Sequence, residues 1–313
     1  MKIIFFGSPD FAVPSLEALI GAEDMDVCLV VSQPDRKRSR NKWSSTPVKE
    51  LALKHDIPVI TPEKLNRQDV IDQLVEHEPD LLVVIAYGQI IGRRILEAFP
   101  RRIVNIHGSL LPEYRGAAPI QRAMLDGRPE TGLTAMLIER EMDAGPMLAK
   151  RTVPIGDDDD LASLTGKLAE EGADLLLDSL RQWDSLLEKA EIQDPDRVSF
   201  ADKIVKEDGY LDFEDRGKRL VDQVRTLKDW PGAKFLLEGE VYKVHQAHLD
   251  RRDDRYPNGY LFCTDGGLWI NAADSAFVID RIQAPSRKVM EVADFLRGNP
   301  LEVGLQAKKL ETE

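Results

Sequence analysis

The chain has 313 residues, 42% of them hydrophobic and 31% charged, with a net charge of −13 and two cysteines. The length suits two domains, and the composition suits a globular protein with sizeable cores. Such acidity argues against nucleic-acid binding through overall charge while leaving room for a local basic site. The two cysteines, Cys28 and Cys263, each sit in an apolar run, which argues against a disulfide framework and suits a reducing, cytoplasmic compartment.

The start, MKIIFFGSPDF, reads as a first strand rather than a secretory leader. No stretch approaches 18 apolar residues, so no membrane span is expected. Short apolar runs follow at KIIFF (2–6), DVCLVVS (26–32), PVI (58–60), LLVVIAY (81–87) and IVNIH (103–107). Such runs suit parallel strands buried on both faces. Between them PSLEALIGA, PVKELALKH and DVIDQLVEHE carry helical patterns, two of them with a proline near the start. This alternation predicts a doubly wound, mostly parallel α/β sheet. LTAMLIE (133–139) and PMLAKRTVPI (146–155) read as two further strands, and residues 159–190 as helix. From about residue 206 short strand-like pieces dominate, punctuated by Gly239, Gly259 and Gly266–Gly267, which predicts a small, OB-like β-barrel. The expected domains are therefore 1–190 and 206–313, joined by a linker at 191–205.

Ligands of doubly wound sheets bind beyond the carboxyl ends of the strands. Asn105 and His107 fall at such an end and, two apart on a strand, point the same way. The loop SLLPEYRGAAP follows, and Asp143 precedes Ala144–Gly145 in a turn-like EMDAGPM. There is no GxSxG elbow, HExxH, GxGxxG or Walker sequence, so neither a nucleophile nor a metal is expected. Taken singly, such an Asn, His and Asp are most often a cap, a structural histidine and a turn former. Together they suit direct transfer between two bound substrates: Asn donates to a developing oxyanion, His donates or moves a proton, and Asp orients His or takes the proton. A basic cluster, Arg36, Lys37, Arg38, Arg40 and Lys42, stands out in the acidic chain; charge alone reads it as a solvated loop.

Residues 105–145 resemble the methionyl-tRNA formyltransferase family, through NIHGSLLPEYRGAAPIQRAML, ETGLTAML and MDAGPML. FFGSPDFAVPSLEAL, VVSQPDR, TPVKELA, KIVKEDGYLDF, WPGA and IQAPSRKVMEVADFLRG extend the resemblance over nearly the whole chain. The resemblance implies formyl transfer from 10-formyltetrahydrofolate to the α-amino group of initiator methionyl-tRNA, without a metal, by a monomeric enzyme of translation initiation. It implies that Asn105 and His107 hold the oxyanion, that Asp143 pairs with His107 and assists proton movement, and that Ser109, Leu110, Leu111 and Pro112 bind the folate. It places Arg36, Lys37, Arg38, Arg40 and Lys42 in the tRNA-facing loop and the barrel against tRNA.

The family loop between QPDR and PVK usually carries proline and glycine; here it is KRSRNKWSST, basic but glycine-free. Residues 206–313 carry slightly more acid than base, whereas a basic barrel would suit tRNA better. Three alternatives share the core motif: a sugar-amine N-formyltransferase, which needs no basic loop; a glycinamide ribonucleotide formyltransferase, which typically lacks so long a C-terminal part; and a non-catalytic folate- or RNA-binding module.

Overall fold

The computed structural model describes residues 1–37 and 43–311, which divide into two compact units. The first comprises Met1–Pro119, Glu130–Pro154 and Ser163–Ala201. Its strands are β1 (Lys2–Gly7), β2 (Asp26–Val31), β3 (Arg36–Lys37), β4 (Trp43–Ser44), β5 (Val59–Ile60), β6 (Leu81–Ile85), β7 (Ile103–His107), β8 (Arg115–Gly116), β9 (Glu130–Leu137), β10 (Met147–Pro154) and β11 (Phe200–Ala201). Seven of them form one sheet in the order β10-β9-β7-β6-β1-β2-β5. The five apolar runs are parallel; β9 runs antiparallel to β7, and β10 antiparallel to β9. All five residues of β6 are buried, as expected where helices cover both faces of a sheet.

Helices α1 (Val13–Gly21), α2 (Pro47–Lys54), α3 (Gln68–Glu76) and α4 (Arg93–Ala98) return the chain between strands, and α5 (Pro119–Leu125) follows β8. In α2 the Thr46 hydroxyl accepts from Lys49 N–H at 3.2 Å, and Pro47 occupies the first turn, where no N–H is needed. Strand order reverses at β1, whose neighbours are β2 and β6. At this switch point Ser8 Oγ donates to the Tyr87 carbonyl (3.1 Å) and accepts from Gln33 N–H (3.2 Å). A cavity of about 380 Å³ opens there, lined by Ser8, Pro9, Gln33, Thr46, Tyr87 and Gly88 among others.

Several boundaries differ from expectation. The run expected to reach Tyr87 ends at Ile85, because Ala86 turns into left-handed backbone at φ 47°. The expected helix over 159–190 is two, α6 (Leu161–Arg181) and α7 (Trp183–Glu188), separated where Gln182 leaves helical geometry at ψ 17°. Of the basic cluster, Arg38, Arg40 and Lys42 lie outside the described residues, while the backbone of β3 pairs antiparallel with β4.

The second unit comprises Ile120–Pro129, Ile155–Ala162 and Asp202–Glu313. It holds β12 (Ala233–Leu237), β13 (Glu240–Asp250), β14 (Leu261–Cys263), β15 (Leu268–Asn271), β16 (Ala276–Gln283), β17 (Met290–Glu291) and β18 (Ala307–Lys308). The order is β14-β15-β16-β13-β12-β18, with β17 beside β16. An antiparallel bridge between Tyr260 and Gln306 brings the two ends together, giving a nearly closed barrel. Its core is built on Phe213, Phe235, Phe277 and Phe295, with Tyr242 stacked on Phe235 at 5.7 Å. Two helices of this region, α8 (Gly217–Leu227) and α9 (Val292–Gly298), were not expected from the strand-rich pattern. Helix α8 is amphipathic and buries Leu220, Val224 and Leu227. Arg225 on α8 donates to the carbonyls of Gly156, Asp157 and Asp159, which explains why residues 155–162 cluster with the barrel. No helix among the described residues is long and apolar enough to cross a membrane.

One buried amide pins a long loop of the barrel. Asn271 is fully buried; its Nδ2 donates to the carbonyls of Asp253 and Tyr256 (both 2.7 Å), and its Oδ1 accepts from Asp253 N–H (3.2 Å). Asn271→Leu leaves these groups without partners, so a loss of about 2 kcal/mol or more in unfolding free energy is expected by chemical denaturation. A loss below about 0.5 kcal/mol would show that water replaces the amide.

Candidate active site

Strand β7 delivers Asn105 and His107 to the carboxyl end of the sheet. Asn105 stands opposite Val84 of β6 and Met136 of β9, and His107 opposite Thr134. His107 is buried at 6% exposure, whereas Asn105 is half-buried. Among the described residues the Asn105 side chain has no hydrogen-bond partner. Its two N–H donors and its carbonyl are therefore available to a ligand, which is uncommon for a half-buried amide in the middle of a sheet.

The His107 ring is held from one side by the backbone. Nε2 lies 2.9 Å from the Tyr114 carbonyl oxygen. A carbonyl only accepts, so Nε2 carries the hydrogen. In the neutral ring Nδ1 is then bare, and it faces Asp143 Oδ1 at 3.7 Å. The other carboxylate oxygen, Oδ2, accepts from Gly116 N–H at 2.9 Å. Asp143 thus has one oxygen committed to backbone and one directed toward the ring.

Two residues of this arrangement are conformationally demanding. Tyr114 and Asp143 have φ of 60° and 52°, in the left-handed region that non-glycine residues seldom adopt. Such residues persist only where surrounding contacts over-determine them, and they concentrate at functional sites. Tyr114 N–H donates to Ser199 Oγ (2.9 Å), and the β8–β11 ladder pairs Arg115 with Phe200 and Gly116 with Ala201.

The SLLP segment is mostly interior. Ser109, Leu111 and Pro112 are buried, and Leu110 alone of the four keeps partial exposure. Leu111 packs with Met136 and Met147. Thr134 Oγ1, fully buried, donates to the Ser109 carbonyl (2.7 Å) and accepts from Leu111 N–H (3.0 Å), while Ser109 Oγ donates to the Glu113 carbonyl (2.7 Å). Thr134 lies within ETGLTAML, where nothing in the sequence pattern signals this role. The Tyr114 carbonyl and the Gly116 N–H are backbone groups, and only glycine at 116, at φ 123° and close to the Ala201 carbonyl, leaves a trace in the sequence.

Among the described residues no group of three or more His, Cys, Asp or Glu side chains could hold a metal ion. Asn105 and His107 share one end of β7, and Asp143 faces the His107 ring there.

Comparison with known proteins bears on what such a site serves. Residues 1–180 match the model of the formyl transferase family, and residues 203–300 that of the formyl transferase C-terminal domain. Methionyl-tRNA formyltransferase of Methylococcus capsulatus is 43% identical, with 96% of this chain and 98% of the relative covered. The enzymes of the same name from Sulfurihydrogenibium sp. and Finegoldia magna are 41% and 37% identical, each over 97% of this chain and 99% and 98% of the relative. The fold resembles that of an N-formyltransferase from Helicobacter canadensis in complex with folinic acid and dTDP-3-aminofucose (TM-score 0.66, 17% identity, 91% of this chain and 100% of that one). It also resembles HypX from Aquifex aeolicus in complex with tetrahydrofolic acid (TM-score 0.62, 19% identity, all of this chain and 51% of that one). Matched in both of its domains and along nearly its whole length, the chain belongs to the methionyl-tRNA formyltransferase family.

Proposed function

We propose that this chain transfers the formyl group of 10-formyltetrahydrofolate to the α-amino group of initiator methionyl-tRNA. The observation that carries the reading is the unpartnered Asn105 amide on the same strand end as a histidine whose Nδ1 faces a carboxylate. The amine nitrogen attacks the formyl carbon, and the carbonyl electrons move onto oxygen. Asn105 Nδ2–H donates to that oxyanion. His107 joins it through Nδ1 only as imidazolium, because Nε2–H is spent on Tyr114. Asp143 Oδ1, at 3.7 Å, pairs with that imidazolium and is the oxygen free to accept the proton the new ammonium must lose. Collapse of the tetrahedral intermediate breaks the bond from carbon to the folate N10, which takes up the proton that Asp143 accepted and leaves as tetrahydrofolate, restoring the carboxylate.

The folate donor is assigned to the first unit, along Ser109, Leu110, Leu111 and Pro112. Leu110 offers surface for the flat ring system, and the three buried neighbours hold its course. The acceptor end is assigned to the cavity at the β1 switch point, which Ser44, Ser45 and Thr46 from the end of the basic loop help to line. Arg36, Lys37, Arg38, Arg40 and Lys42 are assigned to phosphates of the acceptor stem, and the barrel of 206–313 to further tRNA contact.

Supplying 10-formyltetrahydrofolate with charged initiator tRNA, charged elongator tRNA or an amino sugar tests the reading. Formylation of the initiator alone, or far above the others, is expected; formylation of the sugar alone would replace the reading with a sugar-amine enzyme.

Removing one oxyanion donor typically costs roughly 10²–10³-fold in turnover. Asn105→Ala is expected in or above that range, with little change in folate affinity by fluorescence titration. Asp143→Asn is expected to lose activity severely, since an amide neither takes the proton nor pairs with imidazolium in the same way. Near-full turnover in either variant would remove that residue from the mechanism.

Replacing Arg36, Lys37, Arg38, Arg40 and Lys42 by serine is expected to weaken methionyl-tRNA use at least about tenfold and to flatten its salt dependence by roughly one unit of slope per lost phosphate contact. Folate affinity should not change. An unaltered salt slope would return the cluster to a solvated loop.

A further inference from the structure

Gln193 belongs to the stretch that the sequence reading treats as linker, yet it is buried, at 5% exposure. Its Nε2 donates to the carbonyls of Asp143 (2.8 Å) and Gly145 (2.9 Å), and its Oε1 accepts from Arg115 Nε (2.9 Å). The amide orientation is unambiguous: rotated by half a turn, its oxygen would face two carbonyls and its N–H groups a guanidinium. Arg115 is itself buried at 8% exposure, and the N–H of the next residue, Gly116, donates to Asp143 Oδ2. Asp143 is thus held at both ends, its carbonyl by Gln193 and its carboxylate by Gly116.

The turn needs this restraint. Asp143 lies in left-handed backbone, and Gly145 packs so closely that a Cβ there would stand 1.9 Å from the Leu137 carbonyl oxygen. Gln193 is well placed to supply it, because Glu191 and Met147 exchange two backbone hydrogen bonds of 2.8 Å. Those bonds fix the Gln193 segment to the strand that leaves the Asp143 turn.

We infer that Gln193 is a positioning residue for formyl transfer, its amide setting the Asp143 turn so that the free carboxylate oxygen reaches His107. The inference rests on the mechanism proposed above. Losing the amide leaves two carbonyls unsatisfied and lets the turn relax, and a misplacement of about 1 Å at a reacting group can cost on the order of 10²-fold in rate.

The test measures kcat and KM for Gln193→Leu and Gln193→Glu, alone and combined with Asp143→Asn, per folate-binding-competent molecule and alongside thermal unfolding. Gln193→Glu keeps the size and the acceptor for Arg115 but loses the two donors. Each single variant should lose roughly 10–10²-fold in kcat, with KM for the folate donor within about twofold. In the Asp143→Asn background neither should lower kcat further, because the residue acts only through Asp143. A folded variant with unchanged kcat, or losses that multiply in the double variants, would overturn the inference. Failure of both variants to fold would assign Gln193 to stability alone and overturn it as well. The cycle is run on whichever amine the wild-type chain formylates, so failure of the wild-type chain to formylate methionyl-tRNA would count against the substrate assignment and not against Gln193.

Discussion

The hydrogen bond from His107 Nε2 to the Tyr114 carbonyl is the interaction on which the site depends. It fixes the ring plane, determines which nitrogen carries the resident hydrogen, and leaves Nδ1 for chemistry. For the carbonyl to point at the ring, Tyr114 must sit in left-handed backbone, and neighbouring contacts hold it there. Ser199 takes the N–H groups of Tyr114 and Arg115 on its hydroxyl and carbonyl oxygens, and Ala201 takes those of Ala117 and Ala118. The loop after β7 is therefore ordered by chain that arrives some eighty residues later.

The same economy governs Asp143. Its two oxygens are divided between backbone and histidine, and its own carbonyl is bound to Gln193. Three residues that look independent in sequence, Arg115, Asp143 and Gln193, make one connected network, Asp143 joining Gln193 through its backbone carbonyl. Within it, buried polar groups satisfy one another, so each member fixes the geometry of the next. Asn105 stands apart: its amide has no protein partner among the described residues, as suits a group whose partner is the reacting molecule.

Much of this was legible in the sequence because it is periodic. Continuous apolar runs mark buried parallel strands, and two polar residues spaced by two at the end of IVNIH announce a shared face. The turn around Asp143 is signalled by Ala144–Gly145. What was illegible depends on tertiary contact. Gln193 has the composition of a linker residue, and only its burial beside Asp143 distinguishes it. That Leu111 and Pro112 of SLLP are buried while Leu110 keeps partial exposure is likewise invisible in sequence, since a side chain's burial depends on what is packed across from it. Helix α8 was missed among the strand pieces because its apolar stripe of Leu220, Val224 and Leu227 acquires meaning only against the barrel.

The proposed chemistry requires a histidine anchored through Nε2–H with Nδ1 turned to Asp143. Nitrogen-15 NMR of the His107 ring in the full-length chain reads this directly. With the ring neutral, Nε2 should show the protonated type of resonance, coupled to a hydrogen protected from exchange, and Nδ1 the unprotonated type. With a tetrahedral-intermediate analogue bound, both nitrogens should carry hydrogen. A neutral ring protonated at Nδ1, or a ring that stays neutral with the analogue bound, would contradict the proposed role of His107 as an oxyanion donor.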